Sequence, residues 1–282
     1  MEIVVSSVSW IDALIWYHRS RFPGRMWLPL IVFLCSTAWM VAPPVGPLGL
    51  LWMVTLAATL TLQFRLWDDL SDREYDQRVH PHRVLPGTSS LVPFRTLLAV
   101  TTLFNLLLLS QSPGGGQRLV AFLVLSAGLL VWYTCRRADA PTLVGMYVVL
   151  AKYPVFIYLL SGLRPDTDPL HRMLAMVTVY LCFSIHELLH DPALRVASGA
   201  TSLLAINLAL LTAIPSLGIL ARGTLESPSV TFLAATTAAL ISSVLVVSCR
   251  LQGVPGVCKL VRYGIFAVGL LAVLSFPPGA NL

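Results

Sequence analysis

Apolar runs of membrane-crossing length follow one another along almost the whole chain, and this pattern leaves few folds open. A run of about 17–25 apolar residues spans the hydrocarbon core of a bilayer as a helix. Inside that core each backbone N–H and C=O has to be satisfied within the protein, which a helix achieves and irregular chain does not. Nine such runs are legible, at about residues 26–42, 47–67, 91–110, 118–135, 142–163, 171–189, 200–220, 229–249 and 260–276. The segments between them carry turn chemistry, as in Pro43-Pro44-Val45-Gly46-Pro47, Pro113-Gly114-Gly115-Gly116, Arg164-Pro165-Asp166 and Gly253-Val254-Pro255-Gly256. Of 282 residues 56% are hydrophobic and only 11% charged, and no linker is long enough to separate a pair of soluble domains. The expectation is one all-α polytopic membrane domain over residues 1–282.

Basic residues orient the spans. The N-terminal segment and the loops after even-numbered spans hold Arg19, Arg21, Arg25, Arg65, Arg73, Arg78, Arg83, Arg95, Arg136, Arg137, Arg195, Arg250, Lys259 and Arg262, whereas the odd-numbered loops hold Arg118, Arg164, Arg172 and Arg222. The positive-inside rule then predicts a cytoplasmic N-terminus. The net charge of +6 follows from this asymmetry and suits anionic headgroups, so the partner it implies is the lipid bilayer and not nucleic acid. Residues 1–25 lack the basic start and small-residue cleavage site of a secretory signal. Their Val4, Val5, Val8, Ile11, Leu14 and Ile15, with Trp10 and Trp16, suit a helix lying in the cytoplasmic interface. Cys35, Cys135, Cys182, Cys249 and Cys258 show no paired ligand spacing and read as small apolar fillers.

At the end of the second span stands Asp68-Asp69-Leu70-Ser71-Asp72-Arg73-Glu74-Tyr75-Asp76. If the helix continues, Asp68, Asp72 and Asp76 recur every fourth residue with Asp69 one position around, so all four share a face that Arg73 and Glu74 do not. Like charges at that spacing cost a helix about 0.2–0.5 kcal/mol per pair, and the face therefore calls for a cation. Clustered hard oxygens suit Mg²⁺, which commonly bridges carboxylates to substrate phosphates. The plainer reading is a solvated acidic cap on a membrane helix.

The sixth span, four crossings later and so on the same side of the membrane, also ends in acid. In Ile185-His186-Glu187-Leu188-Leu189-His190-Asp191, Glu187 and Asp191 lie on one helix face. Two acidic helix ends at one surface could hold a diphosphate through shared metal ions, although a pair of carboxylates also suits an ordinary polar helix end. The same letters spell His186-Glu187-x-x-His190, the zinc-peptidase pattern of two histidine ligands and a glutamate base. That reading needs a third ligand, for which Asn207 and Glu226 are poor candidates, and it leaves the aspartates unexplained. Lys152 lies inside the fifth span, where a lysine costs about 2.5–3.5 kcal/mol on insertion scales. It should face a cavity or an acid, either as a substrate contact or as a partner for a polar group between helices.

The aspartate run, followed by Arg83-Val84-Leu85-Pro86-Gly87, resembles the first signature of the UbiA superfamily of intramembrane prenyltransferases, N-D-x-x-D-x-x-x-D and then R-P-L-P-x-G. Nine spans, a cytoplasmic N-terminus and acidic motifs after spans two and six are similar too. Asp68 stands where that family usually has asparagine, Val84 where it has proline, and Glu187-x-x-x-Asp191 where it has a pair of aspartates with an upstream tyrosine. The resemblance implies about nine helices enclosing a cavity open to the cytoplasmic side. It implies that Asp68, Asp69, Asp72 and Asp76, with Glu187 and Asp191, bind Mg²⁺ on an isoprenyl diphosphate. Arg83, with Arg65 or Arg137, would neutralise the remaining charge. Tyr147, Tyr153, Phe156, Tyr158, Tyr180 and Phe183 are available to face the allylic cation. Transfer of the isoprenyl group to a small acceptor, expected to be aromatic, is the implied reaction. A terpene cyclase on the same fold, needing no acceptor, is the alternative.

Overall fold

The computed structural model describes residues 10–81, 83–135, 142–162, 168–191, 193–194, 197–222 and 255–274. Its helices are α1 (Trp10–Arg21), α2 (Gly24–Val41), α3 (Gly46–Ser71), α4 (Arg73–Val79), a single turn α5 (Val84–Gly87), α6 (Val92–Ser110), α7 (Gly115–Cys135), α8 (Leu143–Leu150), α9 (Lys152–Ser161), α10 (Pro169–His190), α11 (Ala200–Arg222) and α12 (Pro255–Leu274). Among the described residues there is no strand. Among the described residues five stretches are long and apolar enough to cross a membrane: α3, α6, α7, Leu143–Ser161 and α10. The number becomes six if α1 and Met26–Val41, bent by 71° at their junction, form one broken span. Shorter apolar helices occupy Ala200–Ile214 and Gly264–Leu274. The protein is thus an all-helical, multi-pass membrane protein. Many of its large apolar side chains face outward, Leu48, Leu51, Leu103, Leu107 and Val124 among them, as lipid-facing positions require, while others such as Phe64, Phe94, Phe122 and Phe156 are buried between helices. The expected span at 229–249 lies outside the described residues, as does Arg137.

The chain divides into two compact units, residues 1–35 with 45–119, and residues 36–44 with 120–282. In the first, α3 packs along α6. The seam carries a buried amide pair in which Asn105 Nδ2 donates to Gln63 Oε1 at 2.7 Å, and Trp52 Nε1 donates to the Leu108 carbonyl at 3.0 Å. Lipid tails are as apolar as leucine, so burial alone does not pair two helices, and interhelical hydrogen bonds of this kind hold them in register. Arg118, almost fully buried, lays its guanidinium 4.9 Å from the Trp52 ring centroid.

In the second unit α10 is the central element, packed against α8, α9, α11 and α12. Its buried Thr178 and Ser184 donate to carbonyls one turn back, Leu174 and Tyr180, so their hydroxyls need no outside partner. Cys182 Sγ reaches the Ile265 carbonyl at 3.5 Å, and the Tyr180 hydroxyl donates to the Tyr147 carbonyl at 2.9 Å. Tyr147 in turn accepts from Asn207 Nδ2 at 2.7 Å.

Three local expectations change. The fifth span is not one continuous helix: it is interrupted at Ala151, whose N–H bonds the Val148 carbonyl. Pro154 is the cause, because it has no N–H to offer the carbonyl four residues back. The second span does not run on through the aspartates but ends at Ser71, and Asp72 is the bend between α3 and α4. The N-terminal segment is more than an interfacial helix. Trp10, Ile11, Ile15 and Trp16 do face outward, yet Tyr17 and Phe22 are buried in a cluster with Leu66, Val84, Leu85 and Phe94.

Candidate functional site

The bend at Asp72 decides what the aspartate run can do. Hydrogen bonds from the Asp72 N–H to the Asp68 carbonyl (2.9 Å) and from the Asp76 N–H to the Asp72 carbonyl (2.8 Å) carry helix-like spacing across the break. Asp68, Asp69 and Asp76 are buried, whereas Asp72 is exposed. The helix does not continue unbroken, since α3 and α4 meet at Asp72, so the four carboxylates are not carried by one continuous helix; Asp72, although exposed, still feels the charges of Asp68, Asp69 and Asp76.

Buried carboxylates need cationic partners, since the cost of leaving water exceeds what neutral contacts return. Here arginines supply them. Asp69 is gripped by a two-pronged guanidinium: Arg21 Nε donates to Oδ2 at 2.7 Å while Arg21 Nη2 donates to Oδ1. The Tyr17 hydroxyl donates to the same Oδ2 at 2.9 Å, and Arg65 Nε lies 3.5 Å from Oδ1. Asp76 has Arg83 Nη1 at 2.6 Å from both its oxygens, with Arg21 Nη2 at 3.9 Å from its Oδ2. Two carboxylates and three guanidiniums thus form one network. Its floor is the α5 turn, held because Arg73 donates from Nε and Nη2 to the carbonyls of Leu85 and Thr88, each at 3.2 Å. Arg73, off the acidic face in the sequence, is what fastens the turn that carries Arg83.

Asp72 has a different environment. Although the residue is exposed, the protein packed around its carboxyl desolvates it, and the charges of Asp68, Asp76 and Asp69 repel it further. Its pKa is pushed up to about 6.

Carboxylate oxygens are hard donors, and in chemistry this set fits Mg²⁺. Among the described residues, however, no three His, Cys, Asp or Glu side chains are grouped to hold one ion. The reason lies in the network, for Asp69 and Asp76 are turned onto arginines. Between Tyr17, Arg21, Asp69, Asp76, Arg83, Val84, Leu85 and Pro86 is a cavity of only about 10 Å³, which holds a water at most. Tyr17 also walls an apolar cleft of about 330 Å³ whose lining includes Leu14, Ile15, Leu62 and Leu97.

The remaining predicted residues belong to the second unit. Glu187 has His186 Nδ1 at 3.8 Å from its Oε1. Asp191 Oδ1 accepts from the N–H groups of Ala193 (2.7 Å) and Leu194 (3.4 Å), capping the start of the turn that follows α10. The rings of His186 and His190 are 5.5 Å apart. Lys152, buried at the interruption of the fifth span, has its ammonium 5.5 Å from the Tyr153 ring centroid. Tyr153 stacks on Phe183, which meets Phe266 edge-on. This aromatic wall runs from a buried cation to the acidic end of α10.

Sequence reasoning missed Tyr17 and Arg21. Their i, i+4 spacing, which puts two polar tips on one face of α1, was the available signal. Compared with family models, with curated proteins and with solved structures, the chain matches none of them.

Proposed function

We propose that the protein is an intramembrane, Mg²⁺-dependent prenyltransferase that takes an isoprenyl group from its diphosphate and passes it to a small, aromatic acceptor at the cytoplasmic side of the membrane. The observation that carries this reading is the burial of Asp69 and Asp76 among Arg21, Arg65 and Arg83 at the end of an apolar helix. A site built from alternating carboxylates and guanidiniums can accept both halves of a metal–diphosphate: the carboxylates take the metal and the arginines the phosphate oxygens. A helix that lies in hydrocarbon brings the apolar tail of the donor to the same spot.

Bound Mg²⁺ supplies the positive charge that stabilises a departing diphosphate. The chain's own residues do the rest. Asp68, Asp69, Asp72 and Asp76 are the proposed ligands, with Glu187 and Asp191 as the further ligands that the UbiA resemblance implies. Arg83, Arg65 and Arg137 offset phosphate charge. As the carbon–oxygen bond breaks, its electron pair leaves with the diphosphate and the allylic carbon becomes cationic; a ring carbon of the acceptor then bonds to that carbon and gives up its proton to the released diphosphate or to water. The resemblance implies that aromatic faces meet such a cation, for which Tyr153 and Phe183 are proposed, with Lys152 as a proposed substrate contact.

The deciding experiment uses purified protein, Mg²⁺ and a panel of isoprenyl diphosphates with phenols and quinone precursors as acceptors, followed by product mass. A prenylated acceptor is the expected product. A terpene hydrocarbon or alcohol formed with no acceptor consumed replaces transfer with cyclisation. Peptide cleavage with stoichiometric zinc, lost on His190→Gln, overturns both.

A further inference from the structure

We propose that the cleft between α1, α3 and α6 binds one anionic phospholipid, with an acyl chain lying in the cleft and the headgroup phosphate held at its mouth by Arg19. This stands on the membrane fold and is independent of what the aspartate run does.

The cleft has a volume of about 330 Å³. Leu14, Ile15 and Tyr17 of α1 wall it with Leu62 of α3 and Leu97 of α6, and His18 and Arg19 complete its lining. All three helices belong to the first compact unit. Leu62 stands six residues before Asp68, so at a rise of 1.5 Å per residue the apolar floor lies about 9 Å deeper along α3 than the aspartates. Helix α1 is bent by 71° from Met26–Val41 and turns Trp10 and Trp16 outward, as suits a helix at the headgroup boundary. The cleft thus opens at headgroup level and reaches into hydrocarbon. An apolar lining of this kind does not hold water, and an empty cleft forfeits the dispersion contacts that a chain supplies. An acyl chain is the occupant that the bilayer offers.

Charge selects the lipid. Moving a chain from bilayer to cleft exchanges one apolar surrounding for another, so the tail does not discriminate and the headgroup does. Arg19 is exposed at the cleft and, among the described residues, is in no ion pair. Its neighbours differ, since Arg21 and Arg65 are on Asp69 and Arg83 is on Asp76. No acidic side chain lines the cleft, and Asp12, the acid of α1, stands outside it. His18 is stacked on Phe22, with ring centroids 5.6 Å apart, and meets Trp27 edge-on, which fixes the wall beside Arg19. A guanidinium fork matches a pair of phosphate oxygens, and a basic residue between membrane helices favours a headgroup of net negative charge over a zwitterionic one. Tyr17 joins this cleft to the arginine–aspartate network: it is a wall of the first and donates its hydroxyl to Asp69 at 2.9 Å in the second. A lipid seated in the cleft therefore backs α1 against α3.

The test reads lipid binding, apart from turnover. Full-length protein, delipidated in detergent, is given phosphatidylglycerol or phosphatidylcholine with identical chains; retained lipid is counted by native mass spectrometry, and thermal melting is followed in parallel. Wild type should retain one phosphatidylglycerol in preference to phosphatidylcholine and melt higher with it, as a ligand of the folded state requires. Arg19→Gln should lower that preference about fivefold, the size expected of one basic residue beside an anionic surface, and leave phosphatidylcholine retention unchanged. Leu97→Trp should fill the cleft and lower retention of both lipids; if it does not fold, Leu14→Trp, which narrows the cleft from α1, carries this arm. Equal retention of the two lipids by wild type, or a preference that Arg19→Gln leaves intact, overturns the site. Melting raised as much by inorganic phosphate as by phosphatidylglycerol shows a simple anion site and overturns it as well. Displacement of phosphatidylglycerol by an isoprenyl diphosphate at equal concentration gives the cleft to a different amphiphile, and the lipid assignment falls.

Discussion

Asp69 and Asp76 pair with arginine, whereas Asp72 carries a raised pKa that has a definite sign for stability. Burial and three like charges lift the carboxyl from 3.8 to about 6 in the folded protein. The folded state therefore binds the proton more tightly than the unfolded chain, and the stability this contributes is fully present below about pH 4 and lost as pH rises through about 6. Thermal melts of wild type and Asp72→Asn between pH 3.5 and 7 should show the wild-type advantage shrinking across that window and constant above it; parallel profiles contradict the assignment. Asp76 is a buried carboxylate paired chiefly with Arg83. Arg83→Ala should cost about 1–3 kcal/mol, the penalty for an orphaned charge that Arg21 only partly relieves. Adding Asp76→Asn should return some of that loss in denaturant melts, since the charge that had no partner is then gone. The Arg65–Asp69 pair follows an i, i+4 spacing and was legible in the residues, whereas Asp69 and Arg21 are 48 positions apart and no local spacing links them.

At the scale of elements, the site depends on two joints. One is the bend between α3 and α4; the other is the contact by which Arg73 ties α4 to the α5 turn. Arg73→Ala removes both hydrogen bonds to that turn without touching an aspartate. It should loosen Arg83, speeding hydrogen exchange at residues 84–88 and lowering diphosphate affinity while α3 stays protected. Exchange unchanged at the turn would show that the α5 turn holds itself. The bend was hidden from a reading by spacing, because hydrogen bonds from Asp72 to Asp68 and from Asp76 to Asp72 preserve the four-residue interval through it. The interruption at Ala151 has its residue in Pro154, which offers no N–H to the carbonyl four residues back, but Pro29 stands inside the unbroken α2, so a proline alone does not announce a break. The docking of α1 lay between these extremes. Its outward Trp10 and Trp16 were legible as interfacial residues, but burial of Tyr17 depends on α5 and α6, which only the fold brings to it.

For the whole molecule, apolar run length proved the strongest signal. Hydrocarbon demands continuous helix, so α3, α6, α7 and α10 start and end within a few residues of their expected limits. Orientation is the next property to test. In a background lacking the five native cysteines, a cysteine at Glu74 should react with a membrane-impermeant maleimide only from the cytoplasmic side, and one at Ser112 only from the opposite side; the reverse pattern contradicts the arrangement of basic residues proposed to set the topology. Above orientation stands the chemistry, and the central claim is that buried aspartates at the end of α3 serve the departure of a diphosphate. The most direct measurement is release of inorganic diphosphate from an isoprenyl diphosphate by the purified protein, with and without Mg²⁺, in wild type and Asp76→Asn. Release that needs Mg²⁺ and falls at least about a hundredfold in a variant that still folds is the predicted result, the loss expected when an electrostatic clamp on a leaving group is removed. Equal release by both proteins, or release indifferent to Mg²⁺, contradicts it.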